Sequence, residues 1–280
     1  MAGSRGASWR GGDLAEGFGL ELLRPFAFVA PIPRPEDVGV DAVATLFSRV
    51  GRGLIAEDSF LVQVKAASAR TIEFKATSLD WIRALRLPYY LISVDLATST
   101  VDLHSTIHAT GHANFRDLKS VTMHLDETPF SLVDWEMHVF LGAPILRWKP
   151  ADCADKAFQQ TAYDVIKAWI TFETESIALR SIGITRQMKW KTNDKPVADS
   201  AYSIMHNPGD LQPILEKIRP HIQRLSAFVT PSDRNDEDLL FGLLLVSQFM
   251  RRQGVDPDPN GILGMFADLR AKATQSAPQG

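Results

Sequence analysis

Cysteine is almost missing from this chain: Cys153 is the only one in 280 residues. A lone cysteine excludes an intrachain disulfide and leaves no cysteine framework for a zinc site, so a reducing compartment, the cytoplasm, is expected. Long apolar runs are missing too. The most apolar stretch, Leu239 to Met250, is about half of the ~20 residues that a spanning helix needs. No apolar run follows a basic start at the N-terminus, so neither membrane insertion nor secretion is expected. Positive charge is not in excess, with 30 Lys and Arg against 33 Asp and Glu and a formal net charge of −3. This excludes a surface coated in positive charge and still allows a local basic cleft.

What is present is a globular composition, 45% hydrophobic and 22% charged, in which no interior stretch reads as compositionally disordered. The length exceeds the usual single-domain mode, and two domains are expected. Residues 1–12 read as a tail rich in Gly, Ser and Arg, 13–150 as an α/β domain, 151–273 as a helical domain and 274–280 as a polar tail.

The chain is organised around Phe60-Leu61-Val62-Gln63-Val64-Lys65-Ala66-Ala67-Ser68, which reads as a buried strand that carries an amide and an ammonium group. Alternation puts Leu61, Gln63 and Lys65 on one face and Val62, Val64 and Ala66 on the other. A lysine among apolar neighbours must reach water, an anion or a carboxylate. A carboxylate stands upstream at Asp41, in the strand-like run Gly39 to Phe47. If the two strands are neighbours joined by the polar connection Ser48 to Ser59, Asp41, Gln63 and Lys65 converge at one sheet edge, where they can hold a divalent cation and activate a water. Glu36 and Asp37 compete as acids but fall in the loop after the stiff Pro31-Ile32-Pro33-Arg34-Pro35 segment, so Asp41 is the better candidate.

Gly39-Val40-Asp41 followed by a hairpin and Gln63-Val64-Lys65 resembles the two halves of the PD-(D/E)XK nuclease motif, in the glutamine variant of the Mrr-type restriction enzymes. The surrounding order is also similar: a helix from Asp13 to Leu23 with Glu16, a strand Phe26 to Ala30, the acid strand, the QxK strand, a helix Ser78 to Arg86, and a strand Tyr89 to Asp95. The resemblance covers the first third to half of the chain. It implies a restriction-endonuclease-like three-layer α/β/α core with a mixed sheet, followed here by a mostly helical C-terminal region. It further implies hydrolysis of phosphodiesters in DNA, or in RNA, with Mg²⁺ or Mn²⁺, in a restriction or phage-defence setting. Asp41, the Gln63 amide oxygen and the Val64 carbonyl would be oxygen ligands, Lys65 would position the water and stabilise charge on phosphorus, and Glu16 would be a third acid. Glutamine in place of an acid removes one negative charge beside the metal.

Elsewhere the readings come from residues alone. Arg34, Arg49, Arg52, Arg70 and Lys75 could form a basic rim around the acidic centre. Arg186-Gln187-Met188-Lys189-Trp190-Lys191 interleaves cations with an aromatic, so Lys189 and Trp190 are candidates for phosphate contact and base stacking; a solvated connector with one docked Trp is the plainer alternative. His104, His108 and His112 are four residues apart, but the residues between them are poor helix material and no metal site is expected. Runs at Phe115 to Leu125 and Trp135 to Trp148 suggest strands that extend or cap the sheet. Asp152 is expected to cap a helix to Leu179 with Phe158, Ala162, Ile166, Trp169 and Ile170 as its inner stripe. Helices follow from Asp210 to Phe228, from an Asn235 cap to Arg252 before Gly254, and from Ile262 to Ala273. The helix through Leu239 to Met250 is apolar nearly all round and must be covered by a bundle, a second copy or another protein. The rivals to a nuclease are a nucleic-acid- or protein-binding module without catalysis, and a scaffold in which Asp41 and Lys65 form a buried ion pair.

Overall fold

The computed structural model describes residues 8–33, 39–75, 77–112, 118–125, 136–180, 184–204, 211–229, 237–257 and 261. They form a mixed α/β structure in two compact units, residues 1–207 and 208–280. Among the described residues no helix is long and apolar enough to cross a membrane.

The first unit opens with helix α1 (Ser8–Leu23), which begins upstream of the expected Asp13 start, so part of the expected tail is helical. Strands β1 (Ala27–Pro31), β2 (Ala42–Val50) and β3 (Gly53–Ala66) then make an antiparallel meander. The expected polar connection Ser48 to Ser59 is instead the tip of a long hairpin. Val50 pairs with Gly53 across a turn in which Gly51 has φ +60, a conformation that favours glycine. β4 (Thr71–Lys75) and helix α2 (Thr77–Ala84) carry the chain over one face of the sheet. It returns as β5 (Tyr89–Asp95), parallel to β3, because a parallel pair needs a crossover longer than a hairpin. β6 (Thr100–Ser105) follows, then a short helix α3 (Ile107–His112) and strands β7 (Ser120–His124), β8 (Glu136–Phe140) and β9 (Leu146–Trp148).

The main sheet has six strands in the order β1-β2-β3-β5-β6-β9, and β4-β7-β8 form a separate three-stranded sheet. Both expectations for the later strands hold: β9 extends the main sheet, and β7 and β8 cap it. Alternation sorts the core into two layers. Ala42, Ala44, Leu46, Phe60, Val62, Val64, Tyr90 and Ile92 face α1 and helix α4 (Lys156–Arg180). Tyr89 and Leu91 face the other way, toward Leu79 and Ile82 of α2 and Val121, Met123 and Val139 of the small sheet. One outer layer is therefore helical, while the other is shared between a helix and a sheet.

α1 lies very close to the sheet. A Cβ on Gly19 would stand 3.0 Å from methyls of both Val64 and Val94. α4 follows a 3-10 turn, Asp152–Ala154, and its N-terminal N–H of Ala157 is capped by Asp155 at 2.9 Å. The expected cap, Asp152, instead accepts from the Lys149 N–H at 2.8 Å. Ala162, Ile166, Trp169 and Ile170 are buried against the sheet, and this burial moves the domain boundary from residue 150 to residue 207. The hairpin of β10 (Ile184–Lys189) and β11 (Val197–Ile204) completes the unit.

The second unit contains α5 (Leu211–Val229), with Pro220 inside it, and α6 (Glu237–Arg252). Gly254 ends α6 as expected: its φ is +82 and the Val255 N–H returns to the Met250 carbonyl at 3.0 Å. The core of this unit is small, built on Leu215, Ile222, Leu243, Met250 and Val255. Asn235 and the helix expected from Ile262 to Ala273 lie outside the described residues.

Candidate functional site

Gly39 admits the chain to the site. Its φ of +97 is one that side-chain-bearing residues resist, and a Cβ there would lie 3.9 Å from the Trp81 ring. Asp41 sits in a bend one residue before β2 and is held from both sides. Its N–H donates to the Val62 carbonyl and its carbonyl accepts from the Ile32 N–H, each at 2.9 Å. The carboxylate then turns toward β3, where Oδ2 accepts from the Val64 N–H at 2.6 Å.

That contact locates the useful edge. The Val64 N–H and C=O leave β3 on the same side, the side away from the parallel partner β5, so the Val64 carbonyl faces the same margin as the Asp41 carboxylate. β2 begins at Ala42, opposite Val62, so beyond Val62 the edge of β3 is no longer paired with β2. Alternation places Gln63 and Lys65 on the face away from α1, as the sequence indicates.

Gln63 is 6% exposed. Its Oε1 accepts from the buried Tyr89 hydroxyl at 2.8 Å, and the same hydroxyl lies 3.2 Å from the Gly39 carbonyl. Trp81 meets Tyr89 edge-on, with ring centroids 5.5 Å apart, and stacks on Phe74 at 6.4 Å. Tyr89 and Trp81 thus form an aromatic floor that orients the amide. Lys65, two residues on, is half-buried and makes no ion pair among the described residues. A buried Asp41–Lys65 pair is therefore not how this lysine is accommodated.

The other candidates are dispersed. Glu16 is half-buried on α1, which packs on the opposite face of the sheet. Asp95, at the end of β5, is occupied in a turn: it accepts from the Ala97 N–H at 2.9 Å and from the Thr98 hydroxyl at 2.8 Å, bonds that lower its pKa. Arg70 is exposed in the connection to β4, and Lys75 pairs with Glu73 at 2.7 Å. Arg34, Glu36 and Asp37 lie outside the described residues. Arg49 and Arg52 stand at the far end of the β2–β3 hairpin, roughly 27 Å of strand from Asp41 at 3.4 Å per residue, so they do not rim this edge. Lys189 is exposed at the end of β10. Trp190 is docked: its Nε1–H donates to the Ala143 carbonyl at 2.8 Å and its ring meets Trp169 edge-on at 5.5 Å.

His104 is on β6 rather than on a helix with His108 and His112, which fall in α3. It is 4% exposed, and burial pushes its pKa down to about 4. Its Nδ1 has no hydrogen-bond partner among the described residues.

Two groupings escaped the sequence reading. Tyr89 was legible only as part of an apolar strand, although a buried Tyr hydroxyl needs a partner and Gln63 on the neighbouring strand was the available one. Glu57 and Asp58, taken as connection residues, are on β3 and clamp α4. Lys167 Nζ lies 2.7 Å from Glu57 Oε2 and 2.5 Å from Asp58 Oδ2, and the Tyr163 hydroxyl donates to Glu57 at 2.9 Å. The Lys167 ammonium, with the Ser48 and Tyr163 hydroxyls, holds the Glu57 carboxyl at about 2.

Compared with protein families, with curated proteins and with solved structures, the chain matches none.

Proposed function

We propose that the Asp41–Val64–Lys65 edge is the centre of a metal-dependent nuclease that hydrolyses phosphodiesters, with DNA favoured over RNA. The observation that carries this reading is the 2.6 Å contact from the Val64 N–H to the Asp41 carboxylate, which sets a carboxylate against β3 just beyond its last pairing with β2. The element order supports it: a helix, a three-strand antiparallel meander, a crossover with a helix and a strand parallel to the third is the order that the PD-(D/E)XK resemblance implies.

The donors suit a hard cation such as Mg²⁺ or Mn²⁺, which takes oxygen ligands. At this edge the described donors are one carboxylate, that of Asp41, and neutral oxygens. Asp41 and the Val64 carbonyl would hold the ion. Gln63 would add its amide oxygen, which keeps a second lone pair while accepting from Tyr89. When bound, the ion would supply Lewis acidity toward a phosphoryl oxygen. Lys65 would hold the attacking water and offset charge on phosphorus, and as a cation with no ion-pair partner among the described residues it is available to an incoming phosphate.

One observation favours the rival binding module: Gln63 is buried and its amide oxygen already accepts a hydrogen bond from Tyr89. Incubating the protein with plasmid, linear and single-stranded DNA and with RNA, in Mg²⁺, Mn²⁺ or EDTA, separates the two readings. A nuclease degrades at least one substrate only with metal. Retention of nucleic acid without degradation supports the module.

A further inference from the structure

β7 and β8 lie side by side in the small sheet, with Thr122 opposite His138 and His124 opposite Phe140. Val121, Met123 and Val139 turn into the core shared with α2 and the main sheet, so alternation puts Thr122, His124, His138 and Phe140 on the other face. His124 and His138 are diagonal neighbours there, each half-buried. A cross-strand diagonal is within reach of long side chains, and these two rings meet nitrogen to nitrogen, with His124 Nε2 lying 2.8 Å from His138 Nδ1. Phe140 holds the His124 ring in place, stacked on it with centroids 4.4 Å apart and planes 25° from parallel.

Two nitrogen lone pairs repel at that distance, so a proton stands between them, and either ring can donate it. A metal ion can take that proton's position. A Zn–N bond is roughly 2.0–2.1 Å, so a tetrahedral ion sets two ring nitrogens about 3.3 Å apart, and the pair has to open by only about 0.5 Å. No proton has to leave the protein: the donor ring carries it on its other nitrogen, Nδ1 of His124 or Nε2 of His138, and stays neutral. Imidazole nitrogens suit Zn²⁺, Cu²⁺ and Ni²⁺, whereas carboxylate and carbonyl oxygens suit Mg²⁺ and Mn²⁺. This face of the small sheet therefore offers a different chemistry from the Asp41 edge.

We propose that His124 and His138 form a two-histidine site for a borderline transition metal, Zn²⁺ above all, with water completing the tetrahedron. The ligands come from two neighbouring strands, so the bound ion ties β7 to β8 and stabilises the small sheet by mass action. Two protein ligands leave positions open to water, unlike the closed four-ligand centres of structural zinc, and the ion is exchangeable. The inference stands whatever chemistry the Asp41 edge performs.

Calorimetric titration of the metal-stripped full chain with Zn²⁺, in an excess of Mg²⁺ that fills any hard-cation site, tests it alongside melting with and without Zn²⁺. The unmodified protein should bind a single Zn²⁺ per chain and melt higher with it. His124→Gln and His138→Gln should each weaken binding about tenfold or more and remove the thermal gain, while Asp41→Asn keeps both. In the unmodified protein, where no variant has to fold, paramagnetic Cu²⁺ should broaden the ring signals of His124 and His138 before those of the other histidines. No Zn²⁺ uptake, undiminished uptake in either histidine variant, uptake lost in Asp41→Asn, or broadening that begins at other histidines overturns the proposal.

Discussion

Asp41 carries two roles that one substitution can separate. Its carboxylate accepts a backbone N–H from Val64, which an asparagine carbonyl also does. Asp41→Asn should therefore melt close to the parent, within about 0.5–1.5 kcal/mol, while losing the charged oxygen that a divalent cation needs. Calorimetric titration with Mn²⁺ checks this, and unchanged affinity would remove Asp41 from the metal shell. Gln63→Glu asks the converse question. The carboxylate can still accept from Tyr89, so the cost is a charge at a site 6% exposed. Melting in EDTA should reveal a loss of roughly 1–3 kcal/mol, and Mn²⁺ should recover it if the side chain is a ligand. A loss that metal does not repair would assign Gln63 to Tyr89 alone. These polar residues were legible in the sequence because alternation along a strand fixes which side chains share a face, whatever the distant fold. Tyr89 was not, because a phenol counted as apolar hides the hydroxyl that finds Gln63.

Two element contacts make separate predictions. The close approach of α1 to β3 and β5 depends on Gly19, whose absent Cβ would stand 3.0 Å from Val64 and Val94 methyls. Gly19→Ala should destabilise by roughly 1–3 kcal/mol, although alanine is the better helix former by up to ~1 kcal/mol; urea unfolding measures the net sign. The clamp of β3 on α4 predicts a pH dependence. Glu57 is lowered from 4.5 to about 2, so its stabilisation is complete above about 4.5. It is lost as pH falls toward about 2, where the unfolded chain binds the proton first. Lys167→Met should flatten the stability profile across that window. An unchanged slope would show that the clamp does not contribute. The hairpin that carries this clamp was misread as a connection for a physical reason: Gly53 to Ala56 are exposed and Glu57 to Ser59 only half-buried, so no buried alternation marks a strand there. Similarly, glycines at 11 and 12 suggested a tail where α1 already runs.

At the scale of the whole molecule, the α/β character and the strand-helix-strand crossover were legible from periodicity, whereas the boundary between units was not. A long amphipathic helix reads the same whether it opens a helical domain or closes over a sheet. Only the burial of Ala162, Ile166 and Trp169 against the sheet core assigns α4 to the first unit. The sequence reading required α6 to be covered nearly all round, and Phe241, Leu245 and Phe249 are exposed in the structure. Lys65 is half-buried and makes no ion pair among the described residues, so removing its ammonium opens no core cavity and should move the melting temperature little, within about 0.5 kcal/mol. The most direct measurement is the Mn²⁺-dependent cleavage rate of Lys65→Ala beside the unmodified protein, on whichever nucleic acid is degraded fastest. The account predicts a loss of roughly 10²–10³-fold in a variant that melts like the parent; equal rates, or a variant that no longer folds, would contradict it.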